Sequence, residues 1–317
     1  MARTKNWWNH SKANAVFIWF ISAVIFYALL QMALQNSSSP DRPNPPSDVT
    51  DNNALSYGER RSRLYDKMEM DLDEHGAAFI KQGVTSQSLS LSDLFALKDG
   101  SVTPILKAAE PPVRANVLHL STEYSLPISE AVKSIFLPHF NNKIWFQNSS
   151  VFHFSMFHAS HHIEPVLATE AEIEAEANGV KDVADVLCPL KIVLDRVVLT
   201  STGVLLGCWQ VTSGTDPIIL RAKLKAALPR APKKQLYDDA ILHTSFARLL
   251  GGPNASFLDN RTSDLQFFHE LVSSLNVKIK GFQATVSELW YVEEYDVLAL
   301  ALNGRMKVRK FPLACSL

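Results

Sequence analysis

Two distant stretches of this 317-residue chain share one short pattern of histidine, serine and apolar residues. The first reads Val-Phe-His-Phe-Ser-Met-Phe and carries His153 and Ser155, and the second reads Ile-Leu-His-Thr-Ser-Phe-Ala and carries His243 and Ser245. Alternate side chains of a β-strand share a face, so the histidine and the serine of each stretch point the same way. The sequence therefore predicts two strands that each present an imidazole and a hydroxyl group on one side.

Two such strands on opposite walls of a groove would form a site for a phosphodiester. Hydrolysis by in-line attack of water needs a base for the water and an acid for the leaving alkoxide. Histidine has an ordinary pKa of about 6.5, so one imidazole can accept a proton while another donates one. Serine hydroxyl groups can donate to the non-bridging phosphate oxygens, which hold negative charge in the transition state. This chemistry needs no metal ion and no cofactor, and none is expected.

A run of 20 residues without a formal charge, 15–34, precedes both motifs. At a rise of about 1.5 Å per residue, a helix of that length spans a hydrocarbon core of about 30 Å. Arg3, Lys5 and Lys12 lie before it, which by the positive-inside rule places residues 1–14 in the cytoplasm. A cleaved signal peptide is the alternative, but the run is long and lacks a clear cleavage site, which favours a type II signal anchor.

This orientation places the rest of the chain in the lumen of the Golgi or the endoplasmic reticulum, with the lipid bilayer as the partner of residues 15–34. Residues 35–53 are rich in Ser, Pro, Asp and Asn and predict a flexible stalk. Four candidate N-glycosylation sites follow the pattern Asn-x-Ser/Thr. They are Asn36, Asn148, Asn254 and Asn260.

Net charge and cysteine content exclude some classes of protein. A net charge of −1 argues against a protein dedicated to binding duplex nucleic acid, which would normally be basic. The three cysteines, Cys188, Cys208 and Cys315, form no CxxC pair. One disulfide bond is compatible with an oxidising compartment, and Cys188 with Cys208 is the candidate pair.

Residues 54–112 are expected to form an N-terminal helical extension. Apolar residues at helical spacing predict a helix over 54–82. Within it, Asp71-Leu-Asp73 resembles the DxD motif of nucleotide-sugar transferases, which leaves a type II glycosyltransferase as an alternative. A solvated charged face of a helix explains this segment more simply.

Residues 113–317 are predicted to form one α+β domain. The clearest element is a hairpin over 190–211 with Gly203 in its turn. Helices and antiparallel hairpins alternate, which favours a meander-like sheet and two lobes. Helices are predicted at 127–137 (ended by Pro138), 165–187, 217–228 and 264–275, and strands at 113–122, 143–157, 236–250, 282–302 and 306–313.

The motifs H-F-S-M and H-T-S-F, which begin at His153 and His243 and lie 90 residues apart, resemble those of the 2H phosphoesterase superfamily. The resemblance implies two pseudo-symmetric lobes of antiparallel sheet with flanking helices. It also implies metal-independent hydrolysis of a cyclic 2′,3′-type phosphodiester, with the two histidines as general base and acid. Ser155, Ser245 and Arg248 would then bind the phosphate of a small nucleotide or phosphodiester ligand.

Several alternatives remain open at the level of sequence. His119, in Val-Leu-His-Leu-Ser, is the second candidate for the first motif. His158 and His162 would share a face if they lay on a helix, and could then bind zinc. The chain could also be a catalytically inactive lumenal binding or scaffold protein that has kept the groove.

Overall fold

The computed structural model describes residues 56–83, 85, 89–98, 100–254 and 264–314. The predicted cytoplasmic tail, signal anchor and stalk lie outside these residues, as do the sequons at Asn36 and Asn260. Within them, no helix combines the length and the apolar character that crossing a membrane requires. Of the remaining sequons, Asn148 is exposed and Asn254 is half-buried.

Two antiparallel sheets and a short hairpin contain the described strands. The strands are β1 (Phe95–Lys98), β2 (Ser101–Pro104), β3 (Ala108–His119), β4 (Ile144–Phe146), β5 (His153–Ser160), β6 (Leu190–Leu199), β7 (Val204–Ser213), β8 (His243–Leu249), β9 (Gln283–Val286), β10 (Glu288–Asp296) and β11 (Met306–Pro312). One sheet has the order β11–β10–β3–β5 and the other β4–β8–β7–β6–β9. The predicted α+β class with antiparallel sheets is confirmed. The meander holds only for β6–β7–β8 and β10–β11, because the other neighbours are distant in sequence.

Helices pack against the sheets and against one another. They are α1 (Tyr57–His75), α2 (Ala78–Gln82), α3 (Leu91–Leu94), α4 (Thr122–Phe140), α5 (Glu170–Asp185), α6 (Pro217–Ala227), α7 (Asp264–Ile279) and α8 (Ala299–Leu302). Short 3-10 turns occupy Asn141–Lys143 and Ser149–Val151. Helix α4 packs against α7, and α5 packs against α6 and β11.

The predicted hairpin over 190–211 is present as β6 and β7. Its turn contains Gly203 at φ +82°, and a Cβ atom there would lie 2.6 Å from the carbonyl oxygen of Leu249. Only glycine fits both the left-handed conformation and this close approach. The turn therefore brings β7 directly alongside β8, which carries the second motif.

Several helix boundaries differ from the predicted ones, including the start of α4, which is Thr122 and not residue 127. Helix α4 continues through Pro138 to Phe140, because a proline in the last turn removes a single backbone hydrogen bond. The helix expected from residue 165 begins only at Glu170, where Thr169 forms a capping box with Glu172. The helix expected over 54–82 is divided into α1 and α2 by Gly76, which has φ +64°.

Helix α1 is bound to the second sheet by its polar side chains as well as by its apolar ones. Asp71 Oδ2 accepts a hydrogen bond of 2.6 Å from the backbone N–H of Ser201, in the β6–β7 turn. Asp73 pairs with His269 of α7 at 2.6 Å. Both aspartates of the DxD-like segment therefore make structural contacts.

The candidate disulfide between Cys188 and Cys208 is wrong. Cys188 is disulfide-bonded, whereas Cys208 is a free, fully buried thiol. Cys208 lies in β7 opposite Arg196 and packs in a small apolar cluster that includes Tyr65 of α1. Burial in this apolar environment raises the pKa of the Cys208 thiol. The third cysteine, Cys315, lies outside the described residues.

Candidate active site

A groove between the two sheets brings both motifs together. It has a volume of about 350 Å³ and is lined by His153 and Ser155 on β5 and by His243, Ser245 and Arg248 on β8. Phe154, between His153 and Ser155, and Phe246, directly after Ser245, are buried in the apolar core behind it. The histidine and the serine of each motif therefore face the groove, and the apolar residues face the core.

Strands β5 and β8 run in opposite directions across the groove. The Phe152 ring, just before β5, stacks on that of Phe246 in the middle of β8, with ring centroids 5.6 Å apart. At the other end of β5, the His158 ring lies 6.4 Å from that of Tyr237, which precedes β8. Ser155 therefore lies towards the same end of the groove as His243, and Ser245 lies towards the same end as His153.

A β-bulge in each motif strand returns a third side chain to the groove. On β5, Phe157 pairs with Asn116 and Ser155 with Val117, so Met156 has no partner in the ladder. The extra residue reverses the alternation, and His158 rather than Phe157 lines the groove.

The second motif repeats this irregularity. On β8, Ala247 pairs with Leu205 and Ser245 with Leu206, so Phe246 is the unpaired residue. Arg248 consequently lines the groove. Both strands thus present side chains to the groove at the histidine, two residues later and five residues later.

The His153 ring has one nitrogen bound to the backbone. Its Nδ1 lies 2.8 Å from the carbonyl oxygen of Val151, which can only accept, so Nδ1 carries the hydrogen. In the neutral ring Nε2 is then a free base. Burial lowers the pKa of His153, and the bond to Val151 opposes that shift.

The His243 ring lies edge-on to Tyr237, with ring centroids 5.0 Å apart. Burial lowers the pKa of His243 to about 3, assisted by the positive charges of Arg221 and of His153 when protonated. Both motif imidazoles are therefore neutral near pH 7. The effect of a protonated His153 on the pKa of His243 indicates that the two rings lie close enough to interact electrostatically.

Arg248 is a cation without a carboxylate partner among the described residues. Its Nη1 donates to the carbonyl oxygen of Thr202 at 3.5 Å. Burial lowers the pKa of Arg248 to about 10, so the guanidinium remains charged at neutral pH. A buried cation with only a carbonyl partner provides a binding site for an anion.

Arg221 of α6 holds the two walls of the groove together. Its Nε donates to the Met156 carbonyl at 2.9 Å and its Nη2 to the Ser155 carbonyl at 2.8 Å, both on β5. Its Nη1 donates to the Asp239 carbonyl, before β8, at 2.7 Å. Sequence analysis missed this residue. The available signal was an arginine at helical spacing from buried Leu224 and Pro217.

Helix α1 supports the segment that leads into His243. Arg61 Nε donates to the carbonyl of Ala240 at 2.8 Å, and Arg61 Nη2 pairs with Asp216 at 2.6 Å. Arg60 of the same helix pairs with Asp238 and Asp239. The N-terminal extension therefore contributes to the position of the second motif.

The other histidine candidates occupy different positions. His119 pairs with His153 in the β3–β5 ladder, but its ring stacks on Trp290 with centroids 3.8 Å apart, and it does not line the groove. His158 lies on strand β5 and His162 in the turn after it, so the helix required for the zinc interpretation is not formed. The described residues contain no group of three or more His, Cys, Asp or Glu side chains placed to hold a metal ion.

Comparisons with known proteins give similarity only among solved structures. No family model matches the chain, and no curated protein matches it. Similar solved structures share 11–14% of their residues with this chain. TT0787 of Thermus thermophilus has a TM-score of 0.43 at 14% identity, over 63% of this chain and 97% of that protein. Escherichia coli LigT, complexed with ATP, has a TM-score of 0.36 at 14% identity, over 64% of this chain and 99% of LigT.

A structure described as a phosphoesterase has a TM-score of 0.37 at 13% identity, over 64% of this chain and 99% of that one. LigT has also been solved with NADP+ and with 3′-AMP. All of these TM-scores are below 0.5.

Proposed function

We propose that this chain hydrolyses a phosphodiester, specifically a cyclic 2′,3′-type phosphodiester, with His153 and His243 as general base and general acid. The observation that carries the proposal is that two His-x-Ser pairs, remote in sequence, line one groove on strands of opposite direction. The groups required at the two ends of an in-line displacement are then on opposite sides of one phosphorus atom.

The reaction balances with these groups and one water molecule. One imidazole takes a proton from the water, whose oxygen forms a bond to phosphorus. The bond from phosphorus to the 2′ or 3′ oxygen breaks, and the other imidazolium gives its proton to that oxygen. The product is a phosphomonoester with a free neighbouring hydroxyl group. The imidazoles exchange roles in the reverse reaction.

The substrate supplies part of the electrostatics. Both imidazoles are neutral near pH 7, because burial lowers the pKa of each. An anionic phosphodiester between them favours the charged form of a nearby imidazole and so raises its pKa. Binding of the anion therefore favours protonation of the imidazole that acts as the general acid.

The remaining groove residues would stabilise the phosphate oxygens. Ser155 and Ser245 each point into the groove beside the opposite histidine, where a hydroxyl group can donate to a non-bridging oxygen. Arg248 supplies a buried positive charge without a carboxylate competitor among its described contacts. A guanidinium in such a site forms charge-assisted hydrogen bonds to phosphate.

The test is turnover of nucleoside 2′,3′-cyclic phosphates by the full-length chain in the presence of a chelator, followed by 31P NMR. We expect one phosphomonoester product, and incorporation of one 18O atom when the reaction is run in labelled water. Absence of turnover for all four nucleosides by folded protein, or activity that depends on added metal, would contradict the proposal.

A catalytically inactive binding protein is the second candidate. It is favoured by the lowered pKa values of both imidazoles, since an acid must be protonated to act. This candidate predicts nucleotide binding by calorimetry without turnover. The glycosyltransferase alternative lacks a supporting residue among the described ones, because both aspartates of the DxD-like segment make structural contacts.

We also propose that the domain lies in the lumen of the secretory pathway, anchored by residues 15–34. The disulfide at Cys188 supports an oxidising compartment. Protease protection of the domain in sealed microsomes, and a glycosidase-sensitive mass at Asn148 or Asn254, are the expected results. Digestion of the domain in sealed microsomes would contradict this topology.

A further inference from the structure

The proposed hydrolysis leaves one polar residue of the groove without a role. His158 lines the groove and has only 7% of its surface exposed. No hydrogen bond to either of its ring nitrogens is formed by the described residues. An imidazole that lines the groove without such a bond can form one with a ligand.

The backbone of His158 is held in place by the side chain of Gln235. The amide N–H of His158 donates to Gln235 Oε1 at 2.7 Å, and Gln235 Nε2 donates to the carbonyl of His158 at 3.1 Å. These two bonds replace those that a neighbouring strand would make. The ring is thus presented to the groove from a fixed backbone, as a preformed binding site requires.

His158 is the structural counterpart of Arg248. Each lies five residues after its motif histidine and is turned into the groove by a bulge. Because β5 and β8 run in opposite directions, the two residues occupy opposite ends of the groove. Arg248 lies beyond His153, and His158 lies beyond His243.

Buried charges in and around the groove are not balanced. Arg248 and Arg221 bind only carbonyl oxygens among the described residues. The groove-lining carboxyl group of Glu294 accepts from the N–H of Leu300 at 3.1 Å, and burial raises the pKa of Glu294 to about 7. Of these two guanidinium groups, that of Arg248 lines the groove, so the positive charge in and around the groove favours an anionic ligand.

The His158 end is bordered by further basic groups. His161 Nε2 donates to the carbonyl of Lys234 at 3.1 Å, which places the exposed pair Lys233 and Lys234 at this end. The nearby carboxylates of Asp238 and Asp239 are paired with Arg60. The local charge therefore favours an anion.

We propose that the substrate carries a second phosphate group and that His158 donates a hydrogen bond to its oxygen, on the His243 side of the reacting phosphate. The position of the reacting phosphate rests on the proposed function. A neutral imidazole has one N–H donor, and phosphate oxygens are strong acceptors. Two sources share this chemistry, namely a 5′-phosphate on a mononucleotide and an internal phosphodiester of an oligonucleotide.

The experiment compares kcat/KM of the full-length chain for three substrates with the same 2′,3′-cyclic end. One has a free 5′-hydroxyl group, one has a 5′-phosphate, and one is a dinucleotide with an internal linkage. We expect at least one phosphate-bearing substrate to be preferred by about tenfold, the size of one charge-assisted hydrogen bond. The preferred substrate identifies the source of the second phosphate.

Substitution of His158 tests whether that residue is responsible. His158→Ala should reduce the preference to near one, and His158→Gln should retain part of it because its amide can donate. His75→Ala, at an exposed site on α1, should leave the preference unchanged. An equal preference in wild type and in folded His158→Ala, or no preference in wild type, overturns the proposal.

A binding experiment separates this proposal from the hydrolytic one. Calorimetry on full-length His153→Ala compares a nucleoside 3′,5′-bisphosphate with the 3′-monophosphate, and requires no turnover. Tighter binding of the bisphosphate that is lost on adding His158→Ala supports the second phosphate site even if no substrate is hydrolysed. Equal affinities for the two ligands contradict it.

Discussion

The hydroxyl group of Tyr65 lies 2.7 Å from the carbonyl oxygen of Leu242, the residue directly before His243. The same hydroxyl lies 2.7 Å from the carbonyl of Trp209, and it accepts from the N–H groups of both residues at 3.2 Å. One phenol of helix α1 thus joins β7 to the start of β8. A residue far from the motif in sequence therefore fixes the backbone that carries its histidine.

Tyr65→Phe should lower both stability and kcat. Removal of the hydroxyl leaves buried backbone groups without this partner, at a cost of about 1–3 kcal/mol, and loosens the backbone before His243. Denaturant unfolding and steady-state kinetics measure the two effects. Tyr57→Phe is the control, because Tyr57 lies on the same helix and is 46% exposed. Loss of stability with kcat unchanged would show that α1 supports the fold alone.

His153→Ala and His243→Ala should each reduce kcat/KM by about 100- to 10,000-fold, the usual contribution of a general acid or base. The double variant should be only slightly worse than the single ones, because the two groups act in one step. His269→Ala is the control, since His269 lies on α7 and pairs with Asp73. Single variants with near-normal kcat/KM would rule out the assignment.

Arg248→Met should raise KM and leave the protein as stable as wild type or more so. The guanidinium is buried without a carboxylate partner among the described residues, so an apolar side chain of similar length removes a desolvated charge. Thermal melting and KM are the measurements. A clear loss of stability would show that Arg248 has a structural role instead.

Arg221→Met, unlike Arg248→Met, should lower the stability of the protein. Three backbone carbonyls on two elements lose their donor, which should destabilise the fold by about 2–4 kcal/mol. Because the same bonds join β5 to the segment before β8, kcat should fall as well. Unfolding curves for the two arginine variants, measured side by side, test the contrast directly. Equal stabilities of the two variants would contradict the role of Arg221 in joining β5 to the segment before β8.

Stability should fall on acidification below about pH 6.5, in part because of His243. Burial lowers the pKa of His243 to about 3, so between these values the unfolded chain binds a proton that the folded chain does not. Stability is then lost as pH falls, by at most about 1.4 kcal/mol per pH unit for one group. His158, whose pKa burial also lowers to about 3, acts in the same sense.

The pH effect is best measured as a difference between wild type and His243→Asn, which removes the titrating group. The variant should lose less stability between pH 6.5 and 4. Glu294, with a pKa raised to about 7, acts in the opposite sense above pH 4.5 in both proteins and cancels in the difference. Parallel pH profiles for the two proteins would mean that His243 is not desolvated.

The sequence predicted those elements that short-range pattern determines. The hairpin of β6 and β7, the two motif strands and α6 follow from alternation, turn glycine and helical spacing, and the structure confirms them. A common groove for the two histidines was a hypothesis drawn from the matching motifs and from the resemblance to a known family. The proximity of the two histidines depends on how the two sheets pack together, and a local sequence pattern does not predict that packing.

The remaining parts of the site depend on contacts distant in sequence. The bulges that turn His158 and Arg248 into the groove arise from register against β3 and β7. Arg221 and Tyr65 act on backbone atoms, and backbone atoms carry no sequence signal for their partners. The Cys188–Cys208 prediction failed because β7 buries Cys208 in an apolar cluster.

The opposite directions of β5 and β8 also bear on which bond is cleaved. A half-turn about an axis between the strands approximately exchanges the two imidazoles and the two hydroxyl groups. A phosphorus atom on that axis meets the same reacting groups whichever way round its nucleoside is seated. For the proposed cyclic substrate, the choice between the 2′ and the 3′ oxygen as leaving group would then depend on the unlike residues at the two ends, Arg248 and His158. Regioselectivity can therefore change while the acid and the base remain the same.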